Sequence, residues 1–336
     1  MTVAVSVLMS IYNGERYLRE AVDSILAQTF TDFEFVIVND GSTDATGEIL
    51  ASYLDPRLKV FTIRNGGLPA ALNCGLEQCS SDLVVRMDAD DVAYPHRFAV
   101  LLDDWEKAER PDVFGSGADF INEDGLALWG VSMPLDDETI RAEILDPNGR
   151  MTIMHPSVLL RKEAVLACGG YDPYFKNGQD YDLWLRMSAR FRFGNSPGRL
   201  LKYRFQPCSD TATAAHVISG QLYFGTWMRL LSLQKKLLID ADDAGCWFAC
   251  RDQIIGALRQ RADISALMAE TVTLRFLTEA KILYYSGKRK KGALQIINRF
   301  LRHPGIVIKR FSGAQMTDLS KYLLSLGEIE DLTAPH

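Results

Sequence analysis

Residues 83–91 read Leu-Val-Val-Arg-Met-Asp-Ala-Asp-Asp, an apolar run that ends in three carboxylates within four positions. The apolar residues predict a buried strand, and the acidic residues mark the point where it ends. Ligands of open α/β sheets bind beyond the carboxyl ends of the strands, and Mg²⁺ and Mn²⁺ prefer carboxylate oxygens. The stretch therefore predicts a divalent metal that holds a diphosphate. The alternative is an acidic loop that caps the helix starting near Pro95.

Short β-branched runs alternate with helical patterns on both sides of this stretch. This alternation is typical of βαβ units, and about four crossover units fit before residue 125. The fold class that it predicts is α/β, with a mostly parallel sheet flanked by helices. Predicted strands cover residues 3–9, 33–38, 59–63, 83–87 and 113–120, and predicted helices cover 15–28, 44–54, 69–78 and 95–108.

The rest of the chain divides into two further regions. Residues 126–210 are rich in Gly and Pro, which predicts a mixed, partly antiparallel half that binds the second substrate. Together with a nucleotide-binding half at 1–125, it makes a catalytic domain at 1–210. Residues 211–336 carry long helical patterns and predict a helical C-terminal appendage, membrane-associating or dimerising.

The charge of the chain is unevenly distributed. The net charge of -6 excludes a general attraction to nucleic acid, yet residues 281–310 hold nine Lys or Arg and no acidic residue. This basic segment predicts contact with an anionic inner-membrane surface. A helix packed on the catalytic domain, with a solvated lysine cluster, explains the segment nearly as well.

The sequence also constrains where the protein works. The six cysteines form no Cys-x-x-Cys pair, which indicates reduced thiols. The chain opens without a secretion signal, and no apolar run reaches the ~18 residues of a membrane helix. We therefore predict a cytoplasmic protein, peripheral at the inner face of the membrane. The apolar tail offers enough surface for a homodimer interface or a membrane contact.

Polar loops follow the first two predicted strands. They read Ser10-Ile-Tyr-Asn-Gly-Glu15 and Asn39-Asp-Gly-Ser-Thr-Asp44, and both emerge at one edge of the sheet. Asp40 can accept hydrogen bonds from a base imide or a ribose hydroxyl, and Tyr12 offers a ring for packing against the base. An ordinary turn followed by a helix cap is the alternative for the second loop. In 65–73 a glycine pair lets the backbone approach a ligand closely, or makes a plain tight turn.

Two charged residues later in the chain suit proton transfer and phosphate binding. Asp180 begins an apolar helix, where a carboxylate can serve as a general base or as a mere N-cap. Arg204 can balance the charge of a diphosphate through bidentate contacts. No Ser or Cys lies in an arrangement that favours covalent catalysis.

The ordered set of these motifs resembles the family-2 glycosyltransferases of the GT-A fold. The resemblance covers roughly residues 3–205 and leaves out the helical tail. It is carried by the motifs Tyr12–Glu15, 24–28, Asp40–Asp44, Asn65-x-Gly67-Leu68, Arg86–Asp91 and Asp180–Trp184.

This resemblance implies an inverting transfer of a sugar, usually from a UDP-sugar, to a hydroxyl of a glycan or lipid-linked acceptor in surface polysaccharide assembly. It implies Mn²⁺ or Mg²⁺ held by Asp88 and Asp90, with Asp90 the preferred direct ligand, Asp88 close to ribose and metal, and Asp91 left as the cap. Asp180 would deprotonate the acceptor hydroxyl. The donor-binding residues would be Ser10, Tyr12, Asn13, Glu15, Asp40, Asn65, Gly67, Arg86 and Asp88.

Two departures from the family pattern keep other hypotheses open. Gln179 stands where relatives often have Glu, and Gln206 stands where they often have His. His155 is a substitute ligand or a structural hydrogen-bonding residue. The departures motivate a non-catalytic nucleotide-sugar binder or assembly subunit as an alternative. A sugar-1-phosphate nucleotidyltransferase is a further alternative, but the chain lacks the glycine-rich basic loop with which that class opens.

Overall fold

The computed structural model describes residues 3–145, 151–173, 175 and 178–205. The helical tail at 211–336, the basic segment at 281–310 and Gln206 lie outside these residues, so the predictions for them stay predictions. The described strands are Val5–Ile11 (β1), Phe33–Asn39 (β2), Leu58–Thr62 (β3), Leu83–Asp88 (β4), Val92–Ala93 (β5), Val113–Ile121 (β6), Ala127–Val131 (β7), Leu159–Arg161 (β8) and Phe193–Arg204 (β9). The described helices are Leu18–Leu26 (α1), Thr46–Ala51 (α2), Leu68–Gln78 (α3), Arg97–Lys107 (α4), Asp137–Leu145 (α5), Lys162–Ala167 (α6) and Gln179–Met187 (α7).

One mixed sheet runs through the described residues in the order β3-β2-β1-β4-β8-β6-β9-β5, with β7 paired to β6. Strands β3, β2, β1 and β4 are parallel, as the sequence predicts. The crossover after β4 does not place β6 next to β4, because β8 lies between them and is antiparallel to both. Strands from the half after residue 125 therefore lie in the same sheet as the strands of the first half.

The sheet is buried on both faces, which is why its central strands read as continuous apolar runs. In β1, Val5, Val7 and Met9 pack on the side of α1 and α4, while Leu8 packs on the side of α3. Successive side chains of a strand point to opposite faces, so one short run serves two cores. Helices on both faces complete the three-layer α/β architecture that the sequence predicts.

A buried carboxylate ties β2 to β1 and β3 at the end of the sheet opposite the acidic residues. The side chain of Glu34 accepts hydrogen bonds from Ser6 Oγ at 2.5 Å and Ser80 N at 2.6 Å, and it pairs with Lys59 Nζ at 2.5 Å. Burial opposes its charge, but these contacts outweigh burial and lower the pKa of Glu34 to about 2. A carboxylate so well satisfied stabilises the fold in its ionised form.

Replacing Glu34 with glutamine should lower the free energy of unfolding at pH 7 by about 3 kcal/mol, because a pKa lowered from 4.5 to about 2 is worth that much. The folded pKa lies below the unfolded one, so this stability is present above pH 4.5 and is lost as the pH falls toward 2. Urea denaturation at pH 7 and pH 3 measures both effects. Glu48→Gln on the exposed face of α2 is the control. A Glu34→Gln protein as stable as the wild type at pH 7 would contradict this role.

Candidate active site

The sheet reverses its direction of growth between β1 and β4. The chain builds outward from β1 to β2 and β3, and then crosses back to place β4 on the other side of β1. Ser10 at the end of β1 lies in register with Asp88 at the end of β4, and Ile11 lies in register with Asn39. Such a switch point opens a crevice beyond the carboxyl ends of the strands, where open α/β sheets bind their ligands. The loops that the sequence singled out meet at this crevice.

The loops after β1 and β2 are joined by hydrogen bonds. The amide of Asn13 donates to Ser42 Oγ at 3.0 Å, and Thr43 N donates to Asn13 Oδ1 at 2.8 Å. Glu15 Oε2 accepts from Ala45 N at 2.8 Å. Asn13 and Glu15 are thus used to fix the loop, whereas the ring of Tyr12 is 51% exposed. The hydroxyl of Ser10 is buried at the switch point and has no hydrogen-bond partner among the described residues.

Asp40 joins the loop after β2 to the glycine pair before α3. Its two carboxylate oxygens accept hydrogen bonds from Gly66 N and Gly67 N, each at 2.8 Å. Gly41 has a φ of 72°, and a Cβ there would lie 2.9 Å from Asn65 N, so this turn requires glycine. The structure therefore brings Asp40, Asn65 and Gly67 together as one wall. Asp40 therefore fixes the glycine pair, a structural role in addition to the nucleoside contact that the resemblance implies.

The carboxylates of Asp88, Asp90 and Asp91 form a cluster in which one ligand atom of each lies within 4.8 Å of the others. Asp91 is buried: one carboxylate oxygen accepts from Arg204 N at 2.8 Å, and the other has no partner among the described residues. Burial raises the pKa of Asp91 well above its usual value, and the charges of Asp90 and Asp88 raise it further. An orphaned buried oxygen beside two like charges fits a divalent cation, which would complete all three groups.

The alternative interpretation of this loop as a helix cap is wrong. Helix α4 starts at Arg97, its N-cap residue is His96, and no side chain caps it. Asp91 instead precedes the short strand β5, so the role of cap that the sequence left to Asp91 is also wrong. Strand β5 lies between the acidic cluster and helix α4. The cluster therefore lies at the carboxyl ends of the strands and not at the start of the helix.

Arg204 fixes the backbone of the loop that carries the acidic cluster. Its guanidinium is buried and donates to the carbonyl of Asp90 at 2.8 Å and to those of Asn122 and Glu123 at 3.2 and 3.1 Å, and it also pairs with Glu20. These contacts commit the guanidinium to protein acceptors. Arg204 therefore fixes the loop that carries the aspartates, and this geometry does not support the predicted bidentate contact with a diphosphate.

Two further buried arginines lie under the cluster. Arg86 pairs with Asp88 at 2.5 Å, with its side chain only 2% exposed. Arg97 donates to the carbonyls of Arg86 and Pro156 at 2.8 and 2.9 Å, and burial lowers the pKa of Arg97 to about 9. Sequence reasoning missed Arg97. The signal was a charged residue on the apolar stripe of α4, four positions before Leu101.

Asp180 lies in the first turn of α7, which a buried ion pair fixes to the loop before it. Arg186 pairs with Asp182 at 2.6 Å and donates to the carbonyl of Gly170 at 2.8 Å. Gly178 precedes the helix with a φ of 78° and allows the sharp turn into it. Burial raises the pKa of Asp180. A partly buried carboxylate with a raised pKa at the rim of a crevice suits a general base.

His155 is a structural residue in this arrangement. It is buried, its Nε2 lies 2.8 Å from the hydroxyl of Tyr171, and its ring packs edge-on against Trp184. Burial lowers the pKa of His155 well below its usual value, so the ring is neutral at pH 7. Asn73 on α3 fixes the backbone of Tyr171 through two hydrogen bonds of 2.7 and 2.8 Å. The role of Tyr171 and Asn73 in the wall beside Asp180 was not predicted.

Known proteins resemble this chain in sequence. The sequence model of Glycosyl transferase family 2 matches residues 6–192. The O-antigen biosynthesis glycosyltransferase WbnJ of Escherichia coli is 33% identical over 221 residues, which are 62% of this chain and 83% of that protein. The amylovoran biosynthesis glycosyltransferase AmsE of Erwinia amylovora is 35% identical over 208 residues, 59% of this chain and 75% of that protein.

Solved structures agree on the fold. The structure of S. aureus TarS 1-349 in complex with UDP-GlcNAc has a TM-score of 0.55 and 18% sequence identity, and the match covers 90% of this chain and 92% of that one. The complex of the same protein with UDP has a TM-score of 0.51. At this identity the likeness concerns the arrangement of the sheet and helices alone.

Proposed function

The chain belongs to glycosyl transferase family 2, and on that premise we propose that it is an inverting, metal-assisted hexosyltransferase. The donor is a UDP-hexose, and the acceptor is a hydroxyl of a glycan or a lipid-linked glycan. The observation that carries this proposal is the acidic cluster at the switch point, with Asp180 within electrostatic reach of Asp88. The relatives named for O-antigen and amylovoran biosynthesis support a role in surface polysaccharide assembly.

Each part of the crevice has a task in this proposal. The wall built by Tyr12, Asp40 and the glycine pair binds the nucleoside, and the UDP complexes of TarS support a uridine nucleotide. Asp88 and Asp90, with the orphaned oxygen of Asp91 nearby, would hold Mn²⁺ or Mg²⁺. A bound cation of this kind neutralises charge that develops on a departing diphosphate.

The transfer itself needs one base and no protein nucleophile. Asp180 accepts the proton of the acceptor hydroxyl as its oxygen forms a bond to the anomeric carbon of the donor sugar. The bond between that carbon and the diphosphate oxygen breaks, and the nucleoside diphosphate leaves with the bonding electrons. A single displacement of this kind inverts the anomeric configuration.

The proposal places the enzyme at the inner face of the cytoplasmic membrane, where lipid-linked acceptors are made. Within the described part of the chain, no helix has the length and apolarity that crossing a bilayer requires. Membrane contact through the basic segment at 281–310 and dimerisation through the helical tail belong to the same proposal. Vesicle sedimentation of the full chain with and without anionic lipid tests the first of them.

A donor screen tests the proposed reaction directly. The full chain is incubated with Mn²⁺ or Mg²⁺, a panel of nucleotide sugars and glycan or lipid-linked acceptors, and released nucleoside diphosphate is measured. We expect turnover with a UDP-hexose and its loss on removal of the metal. Calorimetric binding of a donor without any turnover would favour the non-catalytic binder suggested by Gln179 and Gln206. The family match does not support the nucleotidyltransferase alternative.

A further inference from the structure

Arg86 is a buried charged residue near the carboxyl end of β4, in contact with the acidic cluster. It precedes Asp88 by two positions on β4, so the two side chains share one face of the sheet. Its Nη2 pairs with Asp88 Oδ1 at 2.5 Å. The pair fixes the carboxylate that the proposed function assigns to donor and metal.

The rest of this guanidinium has no acceptor in the part of the chain that the structure describes. Nε and Nη1 are buried and have no hydrogen-bond partner among the described residues. Burying guanidinium donors without acceptors costs free energy. A protein that keeps such donors uses them to bind a ligand, or uses the positive charge of the guanidinium at that place. By contrast, Arg204 donates from Nε and Nη1 to carbonyls of the chain. Arg97 donates from Nη2 to two carbonyls and from Nη1 to Met87 Sδ, so only its Nε has no partner among the described residues.

Two residues beyond the acidic cluster, Tyr171 and Asp180, interact electrostatically with Arg86. Tyr171, which His155 holds by its hydroxyl and Asn73 by its backbone, lies within electrostatic reach of Arg86. Asp180 does as well: burial raises the pKa of Asp180, and the charge of Arg86 opposes that rise. The guanidinium of Arg86 therefore acts on Asp88 by direct contact and on Asp180 through space.

We propose that Arg86 is a positioning residue that serves both sides of the crevice, holding Asp88 for the donor and keeping a fixed positive charge beside Asp180 for the acceptor step. The proposal rests on the proposed function and deepens it. The guanidinium of Arg86 then interacts with both the donor site at Asp88 and the base at Asp180. Donor binding and proton removal from the acceptor are therefore electrostatically linked. The contact of Nη2 with Asp88 serves the first task, and the charge of the guanidinium serves the second.

Three variants separate these tasks. Arg86→Met removes both, Arg86→Lys keeps the charge but loses the fork, and Arg86→Gln keeps hydrogen bonding but loses the charge. We expect Arg86→Met to weaken donor binding by roughly 10-fold and kcat by roughly 10²-fold, as when one preorganised donor is removed from an active site. Arg86→Lys should recover kcat to within roughly 10-fold of the wild type without recovering donor affinity.

The measurements are donor affinity by calorimetry in the presence of Mn²⁺, steady-state kcat and KM, and the melting temperature of each variant. Arg57→Met is the matched control, because Arg57 pairs with Asp55 and stacks over Phe33 far from the crevice. It should lower the melting temperature and leave kcat unchanged. If Arg86→Met does not fold, the comparison of Arg86→Lys with Arg86→Gln decides, and Lys should be the more active.

Two outcomes would overturn the positioning role of Arg86 without affecting the proposed function. One is a folded Arg86→Met protein with wild-type kcat, and the other is an Arg86→Lys protein no more active than Arg86→Gln. If the wild type turns over no donor at all, the proposed function fails and this proposal fails with it. Turnover by the wild type therefore distinguishes failure of the function from failure of the positioning role.

Discussion

Replacing Asp180 with asparagine is expected to lower kcat for sugar transfer by roughly 10²–10⁴-fold, which is the contribution of a positioned general base. Asparagine keeps the size of the side chain and its place in the first turn of α7, but it cannot take a proton. Donor binding should therefore stay near the wild-type value. Steady-state kinetics with donor and acceptor, together with calorimetric donor binding, measure the two quantities separately.

The pH profile gives a second test of the same residue. Burial raises the pKa of Asp180, so the acid limb of kcat/KM should lie above the usual range of an aspartate. Activity should fall as the pH falls through that value, because the base must be deprotonated to act. Glu163→Gln, an acidic residue in the first turn of α6, is the control and should keep the wild-type profile. An Asp180→Asn enzyme with wild-type kcat would remove Asp180 from the reaction.

Replacing Asp90 with alanine is expected to abolish both turnover and the response of the protein to Mn²⁺. The cluster would lose one of three carboxylates, and Asp88 is already paired with Arg86. For the wild type, Mn²⁺ at about 100 times its dissociation constant should add about 2.7 kcal/mol of stability. Thermal unfolding with and without Mn²⁺ measures this gain, and in Asp90→Ala the gain should vanish.

The control for this experiment is Asp103→Ala on α4. Asp103 is exposed and pairs with Lys107 one helical turn away, so its loss removes the same charge without touching the crevice. It should keep the shift with Mn²⁺ and the activity of the wild type. Full activity of wild type or Asp90→Ala after metal has been removed by a chelator would contradict the metal site.

Much of the fold could be predicted because its first half has strong local signals. The strand predicted at 33–38 is Phe33–Asn39, and the helix predicted at 69–78 is Leu68–Gln78. Both faces of the parallel strands are buried, so their apolar runs are unbroken and easy to recognise. The position of β8 between β4 and β6 was not predictable, because its three residues find their partners far away in the chain.

The members of the candidate site could be identified, but their tasks could not. The sequence placed Arg86 among the donor-binding residues and offered Arg204 as a possible partner for the charge of a diphosphate. The structure engages the guanidinium of Arg204 with carbonyl groups and Glu20, and two donors of Arg86 have no partner among the residues that the structure describes. His155, a candidate ligand, is a buried partner of Tyr171.

The sequence by itself determined the α/β class, the family and the three aspartates at 88, 90 and 91, because these depend on residue types at short spacings. Only the tertiary structure decided that Asp40 binds the glycine pair and that Arg86 contacts Asp88 within electrostatic reach of Asp180. It also decided that one oxygen of Asp91 has no partner among the described residues. Hydrogen-bond partners and burial are set by which strands become neighbours. That choice depends on packing between residues distant in the chain, which no local pattern encodes.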